Sequence, residues 1–359
     1  MQERRIEYRQ LVYILVLFIL VQLAGLLVVF YFIPPGQIYS AISQVPSTSA
    51  VAGLEQVLEF IIYIVFGTII LLLIFRFYHG IKIYAIIEGI VVVSASFYLF
   101  AIILGSIFAS QADTYYVIAV SLAVPVLLLF AKHKKPWLRN ELAIIASIGA
   151  GVVLGLVFPF AIAFVFMLAI AAYDYIAVFI TKHMLALGRQ AMDQNMALLI
   201  SSSDVELVPK EYLSKKSLES FRKSFKVSSI HNRQLRNIVK QGAVPIPTQA
   251  ALGTGDLAVP LMLAVSAYTA YANYFMASVI VAGATLGLVF TMYILKNYKI
   301  ALPAIPPLFS FVSMVLGAAY AIKGAYVLAL ALFVLGVVII ALMLYTVRKV
   351  AGQSGRSVF

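Results

Sequence analysis

Residues 160–181 read FAIAFVFMLAIAAYDYIAVFIT, an almost wholly apolar stretch with a single charge at Asp174. As a helix it rises about 33 Å, enough to cross a hydrocarbon layer of about 30 Å. That reading puts a carboxylate where an ionisable group costs roughly 3 kcal/mol or more, and such residues are usually functional.

The chain on either side has the same character. Of its 359 residues 63% are hydrophobic and 11% charged, whereas a soluble domain carries about 25% charged residues. Apolar runs recur at roughly 11–33, 57–75, 83–108, 115–131, 141–158, 160–181, 250–272, 274–295, 302–321 and 325–347. These predict an all-α polytopic membrane protein with nine to ten transmembrane helices. Only Pro159 separates the fifth run from the sixth, and the tenth also fits a re-entrant or surface segment. The first run follows Arg4, Arg5 and Arg9. It is too long for a signal-peptide core and no small-residue cleavage site follows it, so a retained helix is expected.

The basic residues give a direction. With the N-terminus in the cytosol and the spans alternating, 25 of the 26 Lys and Arg residues fall on the cytosolic side, and only Lys323 does not. So one-sided a distribution follows the positive-inside rule, and it assigns the net charge of +12 to loops facing a lipid bilayer rather than to nucleic acid. The chain has no cysteine, which excludes disulfides, thiolate catalysis and Cys-ligated metal. No cofactor or metal is expected.

Four regions follow: a six-helix part over 1–182, a hydrophilic cytosolic loop over 183–248, a second membrane part over 249–348 and a polar tail over 349–359. From Lys182 onward the loop holds 11 basic and 5 acidic residues. Its plain reading is a flexible segment attracted to anionic headgroups; the alternative is a segment that orders on a partner or is itself cut.

Asp256 is the second buried acid, in Gly253-Thr254-Gly255-Asp256 at the start of the seventh run. Asp174 lies about 12 Å, and Asp256 about 9 Å, from the cytosolic ends of consecutive antiparallel spans. If those spans are neighbours, the two carboxylates face each other and hold one proton between them. One member can then take a proton from water while the other hydrogen-bonds a scissile carbonyl, which is aspartic-protease chemistry. Gly253 and Gly255 allow close backbone approach and unusual φ/ψ before the acid. The competing reading is an ion-coupling or proton-relay pair in a transporter.

Pro303-Ala304-Ile305-Pro306-Pro307 opens the ninth run. Prolines suit a first helical turn. Three in five residues would also keep the chain unwound, which is tolerated in a membrane only against protein or a water-filled cavity. Such a stretch could line a cleft for an extended peptide.

In these motifs the chain resembles the presenilin and signal peptide peptidase family of intramembrane aspartyl proteases. Tyr173-Asp174, Gly253-Thr254-Gly255-Asp256 and Pro303-Ala304-Ile305 occur in the family's order on the sixth, seventh and ninth spans, with the long loop between the first two. Ile305 stands where the family motif has leucine. The resemblance implies a catalytic pair of Asp174 and Asp256, supported by Tyr173, Gly253 and Gly255, with Pro303, Ala304 and Ile305 engaging substrate. Presenilins keep the loop between spans six and seven in the cytosol, as the charge distribution does here. The orientation is thus presenilin-like, and the resemblance then implies transmembrane substrates of type I orientation; a prokaryotic presenilin homologue is expected. Family presenilins have nine spans, so a tenth has no assigned role.

Other motifs carry less. Gly352-Gln353-Ser354-Gly355 matches a rhomboid-type serine motif, but no helix follows to supply a histidine. His79, His133, His183 and His231 form no zinc-peptidase spacing. Glu88 is expected to reach the interface or a polar neighbour, Glu55 and Glu59 to be wet, and Trp137 to anchor at the interface. A prepilin-type peptidase also uses a Gly-X-Gly-Asp aspartate, but the extra spans and the Pro-Ala-Ile motif argue against it. A carboxylate-based cation transporter or leak channel should show internal repeats, and none is visible.

Overall fold

The computed structural model describes residues 8–33, 81–108, 114–132, 138–181, 196–209, 243–298 and 302–356, with a few isolated positions between them. Nine α-helices lie among the described residues. They are α1 (Tyr8–Phe32), α2 (Ile81–Phe108), α3 (Thr114–Ala131), α4 (Leu138–Val157), α5 (Phe160–Tyr175), α6 (Thr254–Tyr271), α7 (Tyr274–Tyr298), α8 (Ile305–Ile322) and α9 (Tyr326–Arg356). Strands β1 (Leu199–Pro209) and β2 (Ala243–Gly253) pair in a two-stranded sheet. The expected span at 57–75, the four histidines, Trp137 and most of the 183–248 loop lie outside the described residues.

Eight of the nine helices are long and apolar enough to cross a membrane, as in a multi-pass integral membrane protein. The exception by hydropathy is α6, whose 18 residues include Gly255, Asp256 and Pro260. It can be poorer in apolar side chains because protein, not lipid, surrounds it: Leu257 to Tyr268 are all buried. The lipid-facing character lies elsewhere, as in α9, where Val327, Leu330 and Tyr345 are exposed.

The chain forms two compact units. Residues 1–14 and 201–251 make one, which contains most of the β1–β2 sheet. Residues 15–200 and 252–359 make the other.

Small residues set its packing. Helix association in lipid depends on close backbone approach, which residues without bulk permit. A Cβ built on Gly151 or Gly155 of α4 would fall 2.9 Å from the Ala258 carbonyl oxygen or 2.6 Å from that of Met262, both on α6. On α7, Gly283 and Gly287 approach the α8 backbone in the same way, with 2.8 Å to Val312 Cα and 2.6 Å to Leu308 Cα. Thus α6 packs on α4, α5 and α7, and α8 packs on α5, α7 and α9.

Most expected spans match to within a few residues, with three differences. The seventh does not begin at residue 250: β2 runs through Gly253 and the helix starts at Thr254. The ninth is unwound only over 302–304, since Pro306 and Pro307 occupy the first turn of α8, where N–H groups lack intrahelical acceptors. Helix α9 runs on to Arg356, through much of the expected polar tail and the Gly352–Gly355 motif, because no proline interrupts it.

Candidate active site

Asp174 sits on the last turn of α5, just before the helix widens into a π-turn over Ile176–Ile180. Its carboxylate is buried, with a residue exposure of 7%. The backbone N–H of Ile305 donates to Asp174 Oδ2 at 3.3 Å, and the Ala304 amide also faces this carboxyl. Ile305 is the first residue of α8, and its N–H is one of the orphan donors at a helix N-terminus. The Pro-Ala-Ile stretch therefore brings a helix end onto a carboxylate, an arrangement that suits negative charge. Pro303, Ala304 and Ile305 are all buried, so their side chains face protein.

Asp256 is the third residue of α6 and partly buried. Its Oδ2 accepts the Gly253 backbone N–H at 3.2 Å, closing the first turn from the side-chain side. A Cβ on Gly253 would lie 3.2 Å from that oxygen, so bulk is excluded where the carboxylate rests. Gly255 is exposed, and a Cβ there would meet nothing within 4 Å. The expected unusual backbone at these glycines is not found. Gly253 has φ −67° and ψ 146°, and among the described glycines only Gly324 has positive φ. The need at Gly253 is room for a carboxylate.

Helices α5 and α6 pack on each other, and the Asp174 charge acts on Asp256. The two acids therefore lie near each other. Tyr173 is half-buried one residue before Asp174. Among the described residues no cluster of His, Asp or Glu could hold a metal.

Other side chains hold this arrangement without having been expected to. Gln22 of α1 is 0% exposed and donates from Nε2 to the Leu257 carbonyl at 2.9 Å, one residue past Asp256. That turn is already altered, since Pro260 has no N–H to give the Asp256 carbonyl. The Tyr175 hydroxyl lies 2.6 Å from Thr346 Oγ1 of α9, tying the residue after Asp174 to the tenth span. Phe179 and Leu302 pack against the Ile294, Met343 and Val347 cluster, so α9 touches segments next to both Asp174 and Pro303. A lone amide inside the first apolar run was the visible signal for Gln22; nothing marked Thr346.

At the other end of α6, the Lys323 ammonium sits 5.7 Å from the centre of the Tyr271 ring, and the Tyr271 hydroxyl bonds that of Tyr320 at 2.8 Å. The one basic residue outside the cytosolic count thus lies at the opposite end of α6 from Asp256.

No curated protein matches the chain in sequence. In fold it is similar to a presenilin family intramembrane aspartate protease solved in C222 and P2 crystal forms. The two comparisons give 18% identity and TM-scores of 0.52 and 0.51, with 86% of this chain covered in both and 99% and 96% of the other. The family described as signal-peptide peptidase, presenilin aspartyl protease matches residues 15–310, a range that includes Asp174, Asp256 and Pro303–Ile305. The chain belongs to that family.

Proposed function

We propose that the protein is an intramembrane aspartic endopeptidase that hydrolyses peptide bonds within transmembrane segments, with Asp174 and Asp256 as its catalytic pair. One observation carries the reading: two carboxylates sit on packed helices near one end of the bundle, each accepting a hydrogen bond from a backbone amide. Two neighbouring carboxyls hold one proton. The ionised member takes a proton from water, which attacks the scissile carbonyl as the protonated member hydrogen-bonds the carbonyl oxygen. The tetrahedral adduct collapses when the leaving nitrogen receives a proton from the pair.

Gly255 offers open space beside Asp256 for the substrate backbone. Pro303, Ala304 and Ile305 act by bringing the α8 N-terminus to Asp174 and shaping the adjoining wall. A helical substrate hides its carbonyls in its own hydrogen bonds and must unwind there first. The charge distribution supports a cytosolic N-terminus and a cytosolic 183–248 loop, and with that orientation the family resemblance implies substrates of type I orientation.

The test is the full chain in detergent with a model transmembrane peptide. Asp174→Asn and Asp256→Asn should each abolish cleavage while leaving the thermal unfolding midpoint near that of the wild type. Cleavage by either variant would overturn the assignment. A wild-type cation flux lost in both variants, with no proteolysis, would point to a transporter.

A further inference from the structure

Glu88 is a buried charge that the chemistry above does not use. It lies on the second turn of α2 and is 3% exposed. Lys132, directly after α3 and 8% exposed, forms an ion pair with its Oε1. The same oxygen accepts the Ala197 backbone N–H at 2.6 Å. Arg139, at the start of α4, is within electrostatic range. Val92, Leu142, Ala146 and Ala197 form a buried apolar cluster around this meeting point.

Ala197 links Glu88 to the candidate active site. The next residue, Leu198, offers its carbonyl to the Thr254 N–H at 3.0 Å. Thr254 is the first residue of α6, and its N–H has no acceptor within the helix. Two residues later comes Asp256, whose carboxylate returns to the Gly253 N–H. A continuous series of backbone and charge-assisted hydrogen bonds therefore runs from Glu88 to the turn that carries Asp256. Stability alone does not account for the ion pair, because a buried pair is often no more stabilising than apolar residues of similar volume. Apolar residues could not fix the position of a backbone N–H. A carboxylate can, with a bond about twice as strong as a neutral one.

We infer that Glu88, held by Lys132, is a positioning residue for Asp256: it clamps the Ala197–Leu198 backbone, which in turn sets the first turn of α6. The inference rests on the protease reading for its effect on rate. The clamp itself can be tested without activity.

The informative variant is the double replacement Glu88→Leu/Lys132→Met, which removes both charges and refills the space. It should unfold close to the wild-type temperature, yet cleave a model transmembrane peptide with kcat lowered about ten- to a hundredfold and KM within about twofold, as expected for a displaced reacting group. Amide hydrogen exchange at Ala197 and Thr254 should speed up in the same full-length protein. Glu88→Gln/Lys132→Met, which keeps an acceptor for the Ala197 N–H without leaving a buried ammonium unpaired, should recover most of the rate. A double variant with wild-type kcat, or with unchanged exchange at both amides, overturns the inference. If wild-type protein and variants alike fail to cleave, the protease reading fails, and the exchange rates still decide whether the clamp exists.

Discussion

Replacing Gly253 with alanine should slow catalysis without unfolding the protein. The backbone there, at φ −67° and ψ 146°, is open to any residue, so the substitution imposes no strain. By narrowing the unfolded ensemble, such a change stabilises a protein by about 0.4–1 kcal/mol. The harm is local. The new Cβ would lie 3.2 Å from Asp256 Oδ2, so the carboxylate must give way by a few tenths of an ångström. That lengthens a hydrogen bond already at 3.2 Å. A hydrogen bond to a charged group contributes about 1.5–3 kcal/mol, and each 1.4 kcal/mol is about tenfold in rate. Losing roughly half of it lowers kcat about three- to tenfold. Gly255→Ala is the control, because its Cβ enters open space and leaves the carboxylate where it is; its effect should fall on KM. Steady-state cleavage of a model transmembrane peptide, with thermal unfolding of each variant, separates the two. Wild-type kcat in Gly253→Ala, or equal kcat losses at both glycines, would refute the reasoning.

Three further outcomes follow from the packing. Gly155→Val should lower stability by about 1–3 kcal/mol, the usual range for overpacking, because even its Cβ would lie 2.6 Å from the Met262 carbonyl oxygen; thermal or denaturant unfolding reads this directly. Tyr175→Phe should cost about 1 kcal/mol, and the double variant Tyr175→Phe/Thr346→Val should cost no more than Thr346→Val alone, which already removes the 2.6 Å contact together with the Thr346 bond to the Leu342 carbonyl. Gln22→Leu should destabilise by about 1 kcal/mol through loss of its bond to the Leu257 carbonyl, and should speed amide exchange in the first turns of α6.

The membrane architecture was legible because it follows from length and apolarity, which are local in sequence. Asp174 and Asp256 were legible for the same reason, as charges inside apolar runs. The spacing Gly151 to Gly155 and Gly283 to Gly287 is also open to view, although only the fold identifies α6 and α8 as the partners. What the sequence could not reveal is pairing across the bundle. Glu88 and Ala197 are 109 positions apart, and no local pattern joins them. The strands β1 and β2 went unseen because serine and charge interrupt β1 and two prolines interrupt β2, leaving no sustained apolar alternation. At Gly253 the missing side chain expected to allow close approach makes room for the Asp256 carboxylate, whereas the unusual φ/ψ expected there is absent.

The groups that hold the α5 end come late in the chain: the Ile305 amide lies 131 positions after Asp174, and Thr346 lies 171 after Tyr175. During synthesis from the N-terminus, Asp174 enters the membrane long before either partner exists. A nascent chain stopped short of Ile305 carries both aspartates but cannot set the first of them. The order of synthesis thus leaves the Asp174 carboxyl without its amide partner until the last helices are threaded into the bilayer.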